Sequence, residues 1–75
     1  MSGRFVILMV ASLLGAAAMA QDASRSMAEG DSLLALDRPQ KALDKYNKAV
    51  ERSPSAATYS ARARAWYRLE RMDRF

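Results

Sequence analysis

The stretch ALDKYNKAVERSP, residues 42–54, sets Ala42 and Ala49 seven residues apart with Tyr46 between them. On an α-helix that spacing brings all three onto one face, with the charged side chains on the other. A helix face made of methyl groups holds no neighbour at the distance that leucines would set. Its partner must approach closely, with the one large ring filling what is left. A leucine at position 42 would overfill such a contact and destabilise it by about 1–3 kcal/mol. The pattern leaves room for a neighbouring helix to come close.

The surrounding sequence supplies such helices. Beyond residue 20 no alternation of strand type appears, and three segments carry helical spacing. The first is expected from about Ser24 to Leu36, with Met27, Leu33, Leu34 and Leu36 as its apolar positions and Gly30 interrupting them. Mid-helix glycine costs about 1 kcal/mol relative to alanine. Such a glycine often marks a close approach of another backbone. Asp37-Arg38-Pro39 breaks the chain, and proline suits the first turn of the second helix, expected from Pro39 to Arg52. Asp37/Lys41 and Asp44/Lys48 are spaced for helical ion pairs. Ser53-Pro54-Ser55 ends that helix, and Ser55 is placed to cap a third. In the third helix, Tyr59, Ala63, Trp66 and Leu69 form one stripe and Arg64, Arg68 and Arg71 another, with Glu70/Arg74 as a further pair. The expected fold class is all-α, an antiparallel helical hairpin plus a third helix.

The N-terminal twenty residues differ. Phe5 to Ala20 is uncharged and 16 residues long, behind Arg4, and ends in Ala18-Met19-Ala20. That small-x-small triplet fits signal peptidase, and the run is shorter than the roughly 20 residues of a membrane-spanning helix. The reading is a cleavable signal peptide over residues 1–20, cut after Ala20, with a mature chain from Gln21 that is periplasmic or secreted. An uncleaved anchor is the competing reading. The absence of cysteine after the cut leaves no site for a lipid anchor.

The chain has 75 residues, no cysteine and no histidine. Disulfides, thiolate chemistry, zinc sites and the usual neutral-pH general base are excluded. No catalytic constellation and no phosphate-binding glycine loop appears, so the expectation is no enzyme, no metal and no cofactor. The net charge of +4 bears on partner choice without naming a ligand.

Six residues fall into one register: Gly30, Leu33, Ala42, Tyr46, Ala49 and Pro54. Gly30 precedes Ala42 by twelve, Ala42-x3-Tyr46 gives an A-x3-aromatic element, and Pro54 closes the unit. This resembles the tetratricopeptide repeat, a helix-turn-helix unit of 34 residues. The full repeat would run over about 24–55. A partial second repeat would run over about 56–75, with Ala63 in the glycine slot and Trp66 in the slot of Leu33. The interval from Gly30 to Ala63 is 33, one short of a strict period. The resemblance implies an α-solenoid fragment with a concave face for a peptide or partner protein. Carried onto this chain, that face would include Met27, Asp31 and Leu34 from the first helix and Arg64, Tyr67 and Arg68 from the third.

Arginines beside an aromatic suit an acidic peptide, through forked hydrogen bonds and stacking. No nucleic-acid partner is expected of an exported chain. Contact of the basic third helix with an anionic membrane is the alternative. Solenoid units bury their faces only against neighbours. Trp66 and Tyr67 would thus stay uncovered unless a partner, self-association or a longer array covered them. A non-functional fragment of a longer repeat protein is the remaining reading.

Overall fold

The computed structural model describes the backbone of residues 2–73 and, for Gly15 and residues 17–73, the surroundings of each residue as well. Three helices follow one another: α1 (Ser2–Ala35), α2 (Pro39–Arg52) and α3 (Ala56–Asp73). Among the described residues the fold is all-α. The central helix, α2, packs on both of its neighbours, while α1 and α3 touch only lightly.

α1 corrects the expected start near Ser24, because it is one helix of 34 residues. The upstream run is rich in alanine, leucine and methionine and contains no proline, so nothing stops the helix there. Gly30 does not break it. The expected boundary after Ala20 falls within α1, where Ala18, Ala20 and Gln21 are all exposed. Among the described residues, no helix is long and apolar enough to cross a membrane.

α1 ends through a left-handed residue. Asp37 has φ 59°, and its N–H donates to Leu34 O at 3.0 Å while Arg38 N–H donates to Leu33 O at 2.9 Å. This bond pair is a Schellman cap, with aspartate in the position that glycine usually takes. α2 then begins at Pro39, whose missing N–H costs nothing in a first turn. Its buried residues are Pro39, Ala42, Tyr46 and Ala49, one continuous face.

The hairpin of α1 and α2 is antiparallel. Glu29 pairs with Lys45 at 3.0 Å and Asp22 with Arg52 at 3.8 Å, so seven residues back along α1 match seven forward along α2. Asp37, placed in the sequence for a pair with Lys41, instead meets Arg68 at 3.4 Å. The left-handed turn at Asp37 removes it from the helical register that an i,i+4 pair needs.

α3 starts with reciprocal capping. Thr58 N–H donates to Ser55 Oγ at 3.3 Å, and Ser55 N–H donates to Thr58 Oγ1 at 3.0 Å. The Thr58 hydroxyl turns its own hydrogen to the Ser53 carbonyl at 2.9 Å. This is a capping box in which threonine replaces the usual glutamate or glutamine, and it also ties the 53–55 turn.

The core is small. Ala42, Tyr46, Ala61 and Ala65 form its buried centre, with Met27, Leu33, Leu34 and Leu43 partly buried around it. Tyr46 is the one large side chain buried completely among the described residues.

Candidate binding cleft

The contact that arranges the three helices is Tyr46 against Gly30. A methyl group built on Gly30 would lie 2.5 Å from Cε1 of the ring, 2.8 Å from Cδ1 and 2.9 Å from Cζ. What occupies the space above this glycine is thus a side-chain ring, where the sequence had pointed to a backbone. The ring cannot swing aside. It is fully buried, and its hydroxyl donates to Asp31 Oδ1 at 2.5 Å. The same Asp31 oxygen takes an ion pair from Arg64 of α3 at 3.5 Å. One carboxylate therefore links all three helices.

This environment favours the neutral phenol. Burial, and after it the hydrogen bond to Asp31 and that group's charge, push the Tyr46 hydroxyl up to about 12 from 10.0, with Arg64 acting in the opposite direction. At the rim, the hydrogen bond and charge of Lys45 hold the Glu29 carboxyl below its usual value.

Beside this joint, between α1 and α3, lies an open cleft of about 390 Å³ lined by Leu34, Ala63, Arg64, Tyr67, Arg68 and Arg71. Leu34 and Ala63 supply apolar floor. The guanidinium groups of Arg64 and Arg68 rest against Asp31 and Asp37, and that of Arg71 lies 5.8 Å from the Tyr67 ring centre. Four residues expected on the concave face, Leu34, Arg64, Tyr67 and Arg68, meet here. Met27 instead packs against the core, and Asp31 sits at the joint with its carboxylate held by Tyr46 and Arg64. Arg71 and Ala63 join the cleft beyond the residues expected there. The signal for Arg71 was present in the arginine stripe 64, 68, 71, which one helix face must share.

The residues of the repeat register divide by position. Gly30, Ala42, Tyr46 and Ala49 are buried, and Leu33 is half-buried. Pro54, Ala63 and Trp66 are exposed. α3 turns Thr58, Ala61 and Ala65 inward, with Leu69 half-buried beside them, and leaves Tyr59, Trp66 and Tyr67 in solvent. Among the described residues no group of carboxylates could hold a metal ion.

The chain matches no family model, and no curated protein or solved structure is found to be similar to it.

Proposed function

We infer that this chain is an exported helical binding module, resembling the tetratricopeptide repeat, that holds an acidic peptide segment of a partner protein in the cleft between α1 and α3. The observation that carries the reading is the set of guanidinium groups of Arg64, Arg68 and Arg71 gathered with Tyr67 around an apolar floor. A planar guanidinium fork binds a carboxylate through two parallel N–H donors, and an aromatic neighbour adds a stacking surface. The internal pairs do not block this use. The Arg68–Asp37 pair has side chains 45% and 70% exposed, and Arg64–Asp31 is similarly open. Exposed pairs of this kind contribute about 0–1 kcal/mol, so an incoming carboxylate exchanges with them at little cost. Residues 1–20 would deliver the module across a membrane, and the exported form would begin at Gln21.

Fluorescence anisotropy with a labelled oligoglutamate peptide tests the assignment. Binding should weaken with added salt, and Arg64→Ala or Arg68→Ala should each weaken it by about tenfold, the effect of one well-placed interface arginine. An oligoglutamine peptide of the same length should not bind. Oligoglutamate binding that survives the Arg64→Ala/Arg68→Ala double variant unchanged would remove the cleft from consideration. Preferential, salt-sensitive capture by anionic vesicles would favour membrane contact instead.

A further inference from the structure

We propose that Asp37 is a built-in competitor for the acidic ligand: its carboxylate pairs with Arg68 as a ligand carboxylate would, and binding proceeds by displacing it. The inference rests on the acidic-peptide reading of the cleft and adds to it a residue that sets how tightly the ligand is held.

Asp37 is an unusual residue for its place. It ends α1 with φ 59°, the one non-glycine residue in the left-handed region among the described residues. Glycine, or else asparagine, fills such a position more readily. The cap itself uses main-chain groups alone: the N–H groups of Asp37 and Arg38 donate to the carbonyls of Leu34 and Leu33. The carboxylate has no part in it. That side chain reaches to α3 instead and accepts a hydrogen bond from Arg68 Nη1 at 3.4 Å. A left-handed position held by a residue whose charge the turn does not need points to a use for that charge elsewhere.

The contact has the features of an exchangeable pair. It engages one nitrogen of the guanidinium at 3.4 Å, longer than the roughly 2.7–2.9 Å of a strong charged hydrogen bond. Both side chains are open to water. A ligand carboxylate that takes two parallel N–H donors of the fork replaces this contact with a better one. α1 and α3 touch only lightly, so releasing Arg68 from Asp37 disturbs little else. Asp31 is different, although it faces Arg64 at 3.5 Å. Its same oxygen accepts from the hydroxyl of the buried Tyr46, so the core fixes its place. Of these two acids, one is a joint of the fold and the other can leave.

Fluorescence anisotropy of the labelled oligoglutamate peptide with the full 75-residue chain tests this. Asp37→Asn removes the charge and keeps a side chain that accepts the left-handed turn, while Asp37→Gly removes both charge and strain. Each should bind the peptide about two- to fivefold more tightly than wild type, the range set by losing an exposed ion pair. Asp44→Asn makes the same change in net charge on α2, outside the residues that line the cleft. It should alter affinity by less than about twofold, because salt screens a remote charge. In an Arg68→Ala chain, Asp37→Asn should do no more than Asp44→Asn does, since the pair it releases is already gone. Circular dichroism verifies that each variant keeps its helices. If wild type binds through Arg64 and Arg68 while both Asp37 variants match the Asp44→Asn control, the competitor role is overturned and the cleft reading stands. If neither wild type nor Asp37→Asn binds oligoglutamate, the cleft reading falls and this proposal with it. A tightening that persists undiminished in the Arg68→Ala chain would also overturn the proposal, because the effect would not pass through Arg68.

Discussion

α2 and α3 treat their large side chains in opposite ways. α2 buries Tyr46 completely and surrounds it with Ala42 and Ala49. α3 buries Ala61 and Ala65 and leaves Trp66 and Tyr67 more than half exposed. α2 gathers its apolar residues on one face, while α3 spreads them over more than one, and position decides which of those faces is covered. α2 lies between two neighbours, and its ring reaches across to Gly30, where the absence of a side chain leaves a socket. α3 has a neighbour on one side, and the α2–α3 separation that suits alanines leaves no room for an indole. Volume, more than hydrophobicity, decides which apolar face turns inward.

The sharpest way to break this comparison is to truncate one aromatic from each helix. Tyr46→Ala should cost about 3–5 kcal/mol, the range for emptying a fully packed aromatic site. In a core this small that should abolish the cooperative urea transition of the full chain. Trp66→Ala should shift stability by less than about 0.5 kcal/mol when measured at concentrations where the chain is monomeric. Comparable losses from the two variants would mean that α3 is packed on both sides.

Alkaline titration gives a smaller effect. The Tyr46 hydroxyl loses its proton near 10.0 in the unfolded chain and at about 12 in the folded one. The unfolded state is therefore the first to ionise as pH rises. The associated stability, about 2–3 kcal/mol for a shift of this size, is fully present below pH 10 and is lost between pH 10 and about 12. Urea midpoints measured across that window should fall for the wild type. Tyr46→Phe, which keeps the ring and has no proton to lose, should flatten much of the decline. An equal decline in both proteins would assign it to other groups.

Much of this architecture was legible in the sequence. Pro39 and the Ser53-Pro54 break delimit α2 because proline acts locally, and Ser55 signals the start of α3 for the same reason. Gly30, Ala42, Tyr46 and Ala49 were readable as a close helix contact because their spacing and their sizes agree. The inward face of α3 was not. Tyr59, Ala63, Trp66 and Leu69 make a more hydrophobic stripe than Thr58, Ala61 and Ala65, yet the second set is buried. Two apolar stripes on one helix carry the same period, and the spacing to α2 that chooses between them is a tertiary quantity. The left-handed turn at Asp37 was hidden similarly, since aspartate carries no glycine flag. In the cleft, the arginine stripe was visible, but its internal partners Asp31 and Asp37 required the fold. The use of Asp31 as a joint between helices depends on where Tyr46 ends.

The central claim is that the ring of Tyr46, seated on the bare backbone of Gly30, fixes how the helices cross. Adding one methyl group at that position tests it most directly. Alanine is worth about 1 kcal/mol over glycine in a helix by intrinsic preference, and in this socket the methyl collides with the ring at 2.5 Å. Gly15, on the same helix, has nothing within 4 Å of the same methyl and serves as the control. Urea denaturation of the full chain should show Gly30→Ala lowering stability by about 1–2 kcal/mol, while Gly15→Ala raises helix content without loss. A Gly30→Ala protein as stable as the wild type, or more so, would contradict the account.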